Sequence, residues 1–193
     1  MSSRRFPGKV LAPFRGRAVI DHVVDQITKA LPLDRIIIAT STESSDDPLA
    51  AHLRARDVSV FRGSLEDVFG RFQGCLREHP CTWFFRVCGD SPLLDPVLFT
   101  RLLERRSGGV DLVTNIFPRS FPKGQSLELV NARAFQALDS TQLSPEQREH
   151  VTQVFYDDPS RFQIANVSAD GPDLSCTSVA LDTLDDLLAL ERS

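Results

Sequence analysis

The sequence predicts an α/β protein: a three-layer αβα sandwich built on a mostly parallel sheet with a mixed edge. Three observations predict it. Short β-branched runs alternate with helical apolar patterns from residue 18 to residue 116, the signature of βαβ units. Ile36, Ile37 and Ile38 form a wholly apolar run, as strands covered on both faces do. Carboxylates follow strand-like runs at Asp90 and Asp182, where ligands of open α/β sheets gather.

The elements follow in order. Val19, Ile20, Val23, Val24 and Ile27 fall on one helical face. After the 36–38 strand, Asp46 and Asp47 precede Pro48, a capping acid with proline at the first helical position. Residues 58–61 read as the next strand. Ser64 with Asp67 opens a helix carrying Val68, Phe69, Phe72 and Leu76. The run 82–88 is a buried strand ending at Gly89-Asp90, Asp95-Pro96 starts another helix, and 110–116 is the strand after it. Beyond residue 117 a Pro/Lys/Gly loop leads to a strand at 127–130 and a helix capped by Asn131. Ser144-Pro145 opens a helix with Arg148, Glu149 and His150; strands are expected at 162–167 and 178–181, and Thr183 with Asp186 caps a last helix. Residues 1–193 form one domain, a size at which a single core is the default.

Composition narrows the function. Hydrophobic residues at 41% and charged residues at 25% exclude disorder and low-complexity classes. A net charge of -4 gives no field for holding a nucleic-acid backbone. Cys75, Cys81, Cys88 and Cys176 show no C-x-x-C pair, so neither a zinc cluster nor a disulfide framework is indicated, and they suit reduced thiols of a cytoplasmic protein. No apolar run approaches the roughly 20 residues of a membrane span, and no export signal follows the first basic residues. Arg4, Arg5, Lys9, Arg15 and Arg17 all precede the first acid, Asp21, which is a transit-peptide composition; the same residues have a more specific use.

That use is polyphosphate binding. Arg5-Phe6-Pro7-Gly8-Lys9 is a turn between two cations, able to offer backbone N–H groups and positive side chains to phosphates. Asp90, on a Gly-Asp turn after a buried strand, is placed to bind Mg²⁺, and Asp182 follows a second apolar run. Two carboxylates from separate strand ends can share a hard cation completed by substrate phosphates. Asp95 reads as a helix cap. His22, His52 and His79 have no partner motif.

Five blocks carry a family resemblance. Residues 3–11, containing R-F-P-G-K-V-L, look like a nucleotide-binding signature. Phe61-Arg62-Gly63-Ser64 followed by Glu66-Asp67-Val68 resembles F-R-G-S-x-x-D-V. Residues 86–96 match R-x-x-G-D-x-P-L-x-D-P, residues 148–152 match R-E-H-V-T, and Asp182-Thr183 with Asp185-Asp186-Leu187 is similar to D-T-x-E-D-L. In these blocks the chain resembles the SpsF-like, spore coat polysaccharide branch of the cytidylyltransferases, related to the acylneuraminate and KDO cytidylyltransferases.

The resemblance implies a nucleotide-diphospho-sugar transferase-like fold (GT-A/Rossmann-like) with its first strand missing from this chain, which would start inside the signature and stop short of the family's usual end. It implies attack of a sugar or sugar-acid hydroxyl on the α-phosphate of CTP, giving a CMP-sugar and pyrophosphate for polysaccharide biosynthesis. Lys9, Arg5 and Asp90 would be catalytic; Ser3, Arg5, Gly8, Lys9, Arg62, Gly63, Arg86 and Asp90 would bind nucleotide; Asp90 and Asp182 would hold Mg²⁺. Gln125, Glu128, Arg148 and His150 would face the sugar and a second subunit of a homodimer. Where the family often has G-L-D-x-E, this chain has Gly124-Gln125-Ser126-Leu127-Glu128, which opens the question of sugar specificity. Two other readings compete: a GT-A glycosyltransferase, which would need a D-x-D motif the strand ends lack, and a non-catalytic remnant of the family.

Overall fold

A computed structural model describes residues 6–192. A 3₁₀ turn at Lys9–Leu11 leads into a small antiparallel hairpin of β1 (Pro13–Phe14) and β2 (Arg17–Ala18), then α1 (Val19–Thr28). The apolar face of α1 is buried as its spacing predicts: Val19, Ile20, Val23, Val24 and Ile27 all lie in the interior. Next come β3 (Ile37–Ser41), α2 (Asp47–Arg54), β4 (Ser59–Gly63), α3 (Val68–Glu78), β5 (Trp83–Val87), α4 (Val97–Arg105) and β6 (Leu112–Thr114). The second part holds β7 (Leu127–Asn131), α5 (Ala132–Gln136), α6 (Pro145–Glu149), α7 (Gln153–Asp157), β8 (Ile164–Asn166) and α8 (Leu184–Glu191).

Two helical layers cover the strands, and the alternation along each strand sorts residues between them. Trp83, Phe85, Val87, Val113, Leu127 and Leu129 join the core under α1, α2 and α4. Phe84, Leu112 and Val130 face the other core with Phe69, Phe135 and Phe155 from α3, α5 and α7. The three-layer sandwich is thus built. Its strands are mixed rather than mostly parallel: β3 runs parallel to β4 and β6 parallel to β8, while β7 is antiparallel to both β5 and β6.

The strands form separate ladders, β3-β4 and β5-β7-β6-β8. Among the described residues neither β3 nor β5 pairs on its second edge. Ile38 and Val60 of the first ladder nevertheless pack into the same core as Trp83, Phe85 and Val87 of the second. All five β5 residues are only partly buried, whereas β6 is buried throughout.

Helix starts follow the sequence closely, with local changes. Asn131 accepts from the N–H groups of Arg133 and Ala134, and complete capping boxes form at Ser144 with Gln147 and at Thr183 with Asp186. The cap of α3 is Asp67, whose carboxylate accepts from Gly70 N–H at 2.9 Å; Ser64 Oγ accepts from Asp67 N–H instead. Asp46 does not cap α2. Its Oδ2 accepts from the hydroxyls of Thr40 and Ser41 at 2.6 and 2.7 Å, locking the end of β3. The strand expected at 178–181 is reduced to one bridge between Lys123 and Ser178; Ser178 Oγ accepts from Ala180 N–H at 3.3 Å, a local bond that competes with a ladder.

Candidate active site

Three sequence-distant segments meet at the carboxyl end of β5. Gly8 adopts a left-handed conformation (φ 72°), which glycine enters without a Cβ clash, and it turns the chain into the 3₁₀ helix that starts with Lys9. Asp90 follows β5 after Cys88 and Gly89. Asp182 precedes the capped start of α8. The Lys9 ammonium donates to Asp90 Oδ2 at 2.5 Å and to Asp182 Oδ1 at 3.2 Å, across 81 and 173 residues of sequence. Burial alone would lower the Lys9 pKa, but the two carboxylates outweigh it and hold the ammonium above its ordinary value.

Backbone bonds fix this meeting. Leu181 N–H donates to the Asp90 carbonyl at 3.0 Å, so the two acidic loops are joined beside their side chains. The loop from Pro122 to Gln125 is stapled to the same segment: Lys123 N–H donates to the Thr177 carbonyl and Val179 N–H to the Lys123 carbonyl, at 2.9 and 2.8 Å. Gly124 is required there twice over. Its φ is +91°, and a Cβ on it would stand 2.6 Å from the Ala180 backbone nitrogen.

On the opposite face of the strands, a row of cross-strand neighbours makes a buried polar network. Glu128 on β7 pairs in register with Arg86 on β5 and Thr114 on β6. The Glu128 side chain is 1% exposed, which is permissible for a charge only with full compensation. It accepts from Arg86 Nη1 at 3.2 Å, from Thr152 Oγ1 at 2.8 Å and from the Tyr156 hydroxyl at 2.6 Å. Tyr156 also meets Thr114 Oγ1 at 3.0 Å. Burial, then the Glu128 charge and its hydrogen bond, push the Tyr156 hydroxyl far above the usual phenol range, so it stays a donor. Burial likewise raises the Cys88 thiol.

The remaining residues singled out by sequence divide by what holds them. Ser3 and Arg5 lie outside the described residues. Arg62 is committed to the loop after β3, donating to the Ser41 and Glu43 carbonyls at 2.7 and 2.9 Å and pairing with Asp47 at 2.6 Å; Gly63, next to it, ends β4. Gln125 donates to the Leu93 carbonyl and accepts from Asp95 N–H, at 2.6 and 2.7 Å, so its amide holds the segment after Asp90. Arg148 turns back to the Leu143 carbonyl at 3.2 Å. His150 is exposed at the end of α6. Between it and Thr152, buried Val151 has φ 46°, a conformation costly for a β-branched side chain; it directs Thr152 onto Glu128.

The residues that sequence reasoning did not single out are Thr114, Asn115, Arg119 and Tyr156. Buried Asn115 donates to the Gln125 carbonyl and accepts from Leu127 N–H, at 2.6 and 2.9 Å, joining β6 to the loop before β7. Thr152 lay within a matched block but had no role attached. Tyr156 is the one tyrosine in the chain, the only signal that could have marked it.

The sequence profile described as Cytidylyltransferase matches residues 1–181. The spore coat polysaccharide biosynthesis protein SpsF of Bacillus subtilis is 30% identical over 174 residues, covering 88% of this chain and 72% of that protein. A 3-deoxy-manno-octulosonate cytidylyltransferase of Anaeromyxobacter sp. is 29% identical over 143 residues, covering 70% of this chain and 57% of its own. Among solved structures, a cytidylyltransferase from Leptospira borgpetersenii superimposes with a TM-score of 0.92 at 25% identity, over 99% of this chain and 81% of that one.

Proposed function

Because this chain belongs to the cytidylyltransferase family, we propose that it transfers CMP from CTP to a hydroxyl of a sugar or sugar acid, releasing pyrophosphate. The observation that carries the reading is the junction of Lys9, Asp90 and Asp182 at the end of β5. In the reaction the acceptor oxygen forms a bond to the α-phosphorus, the bond to the bridging oxygen of the β-phosphate breaks, and the hydroxyl proton passes to solvent. Charge gathers on the phosphate oxygens, so catalysis is chiefly positioning and electrostatic balance.

Lys9 supplies part of that balance. Its ammonium is held charged beside two carboxylates, and with those carboxylates engaged by a metal it would be left to pair with phosphate oxygens. Asp90 and Asp182 are hard oxygen donors from separate loops, drawn together around a cation, and this donor set fits Mg²⁺ completed by water and phosphate oxygens. Bound there, Mg²⁺ would supply Lewis-acid stabilisation of the phosphates. Arg86 and the Glu128 network would brace β5 and β7, the strands that lead to Asp90 and from Gln125.

The product would be a CMP-sugar for surface or spore-coat polysaccharide, made in the cytoplasm by a homodimer. No described helix is long and apolar enough to cross a membrane. Incubation of the purified chain with CTP, Mg²⁺ and a panel of sugar acids and neutral sugars, with pyrophosphate release as readout, tests the reading. Release that depends on CTP, on metal and on an acceptor is the expected result; no release with any acceptor, or equal release from UTP, ATP and CTP, counts against it.

A further inference from the structure

The place between the two acids at the end of β5 is filled by this chain itself. The Lys9 ammonium donates to Asp90 Oδ2 at 2.5 Å and to Asp182 Oδ1 at 3.2 Å. Mg²⁺ takes carboxylate oxygens at about 2.0–2.1 Å, so a metal bridging those two oxygens would stand where the ammonium stands. Charge opposes sharing as well: two carboxylates and one ammonium leave a single negative charge, and an ammonium repels a dication beside it. The Lys9 side chain is 14% exposed, against 24% for Asp90 and 42% for Asp182. The cation lies deeper than its acids, and a metal arriving from solvent meets a pair already engaged. Among the described residues no third acid, His or Cys joins these two in a group that could hold a metal.

The backbone under these groups is fixed, while the lysine stem is rotatable. Leu181 N–H donates to the Asp90 carbonyl at 3.0 Å, and Asp186 Oδ2 accepts from the N–H groups of Asp182 and Thr183 at 3.1 and 2.7 Å. Val10 and Leu11, which follow Lys9, pack against the core under α1, and Val10 Cγ1 would stand 3.7 Å from a Cβ on Gly89. The turn that carries Lys9 is thereby seated against the segment that carries Asp90. A lysine has a flexible four-carbon stem and three rotatable donors, so the ammonium can leave the carboxylates without a shift of the main chain.

We propose that the Lys9 ammonium is a resident cation that holds a lone divalent metal off Asp90 and Asp182 and yields only to a metal that comes with phosphate, so that metal and nucleotide enter together. The proposal rests on the cytidylyltransferase reading and concerns how that site is loaded. A triphosphate provides what a lone metal lacks: anionic oxygens on which the displaced ammonium can settle, and further oxygens to complete a coordination shell that two carboxylates do not fill. One displacement then serves both ligands, so each should tighten the other.

The test needs no turnover. Mn²⁺, a dication suited to carboxylate oxygens, is the probe, followed by electron paramagnetic resonance of the unbound ion. With no nucleotide, Lys9→Met should bind Mn²⁺ at least roughly 10-fold more tightly than the parent, the effect of removing one unit charge from beside the ligands. Lys9→Arg, which keeps the charge, should bind it as weakly as the parent. Lys9→Gln, which keeps a donor without the charge, decides the matter if the Met variant melts early. Asp90→Asn added to Lys9→Met should erase the gain. The factor by which saturating Mn²⁺ tightens α,β-methylene-CTP, an analogue that cannot lose pyrophosphate, should be larger in the parent than in Lys9→Met. A parent that binds lone Mn²⁺ as tightly as the uncharged variants, a gain shared by Lys9→Arg, a gain that survives Asp90→Asn, or a coupling no larger in the parent would each overturn the proposal. Failure of the parent to release pyrophosphate from CTP would sink the cytidylyltransferase reading, while the nucleotide-free arm would still judge Lys9.

Discussion

The Lys9 ammonium stands 2.5 Å from an Asp90 carboxylate oxygen although 81 residues separate them, and the same ammonium reaches Asp182. Lys9 thus offsets the repulsion between two acids, leaving one negative charge over. Replacing Asp90 or Asp182 with Asn should abolish metal-dependent pyrophosphate release, a loss of several kcal/mol of transition-state stabilisation, while the far-ultraviolet circular dichroism stays that of the parent. Near-parental turnover in either variant would remove that residue from the site.

Lys9→Ala should weaken CTP binding, and the difference from the parent should shrink between low salt and about 1 M salt, because screening weakens charge attraction. Titration calorimetry at two ionic strengths measures both. A difference that does not move with salt would mean that Lys9 acts by shape alone.

The same lysine makes a pH prediction. Its folded pKa is raised above the ordinary 10.5, so its contribution to stability is fully present below about pH 10 and is lost as pH rises through the folded value. The gap in unfolding free energy between the parent and Lys9→Met should therefore be constant near neutrality and narrow only in alkali. A gap that narrows between pH 6 and 8 would contradict the ion-pair account.

At the acid end the test is Asp21. Its buried carboxylate takes His52 Nε2 at 2.7 Å and pairs with Arg56, joining α1 to α2. Burial pushes its pKa up, but His52 and Arg56 prevail and the pKa lies below the ordinary 3.8. The stability it gives is present above pH 3.8 and lost as pH falls through the lower folded value. Asp21→Asn should cost about 1–2 kcal/mol at pH 7, since its partners are partly in solvent. The cost should vanish toward pH 2 in denaturant titrations; a cost unchanged by pH would assign Asp21 a packing role only.

Local rules carried the sequence reading where residues act on near neighbours. The α1 face, the Asn131 cap and the capping boxes at Ser144 and Thr183 depend on spacings of three or four residues, and all are present. The position of Asp90 after β5 was legible too, because position after an apolar run has a meaning in α/β sheets, whereas Asp182 reaches Lys9 from a segment that holds only a single bridge. Roles fixed by register were not. Glu128 read as a sugar contact, yet its register opposite Arg86 and Thr114 draws in Thr152 and Tyr156, and nothing in linear sequence states which strand lies beside which. Arg62, Gln125 and Arg148 likewise look available in sequence but are held by backbone carbonyls of loops whose paths are tertiary facts.

That network gives a prediction of its own. Glu128→Gln should cost about 3 kcal/mol, because it leaves the Arg86 charge without its partner. Tyr156→Phe should cost about 1–2 kcal/mol, since Glu128 keeps Arg86 and Thr152. Chemical denaturation of both checks the order; a Phe variant as damaged as the Gln variant would show that the hydroxyl and not the ion pair is the centre of the network.

The unpaired edges of β3 and β5 carry the last prediction. Each strand is five residues long and bonded on one side among the described residues, yet both pack into one core. Backbone groups at the middle of a sheet normally find partners, and leaving them unpaired costs free energy. An extended apolar segment rich in Val and Ile, seated between these edges, would pair with both and would deliver the Gly8-Lys9 turn to Asp90 from a fixed strand end. We therefore expect that a chain carrying such a strand ahead of residue 1 is more stable and turns over faster than residues 1–193 alone. Two further rows of ladder bonds, taken conservatively at about 3–5 kcal/mol in all, would raise the melting temperature by about 10 °C in a chain of this size. Hydrogen exchange localises the effect: amides of β3 and β5 should gain protection, while those of β6 and β7, already paired, should change little. A proline in the middle of the added strand removes a donor and should cancel the gain. An extended chain with the same melting temperature, the same exchange at β3 and β5 and the same pyrophosphate release would show that these edges are satisfied in another way.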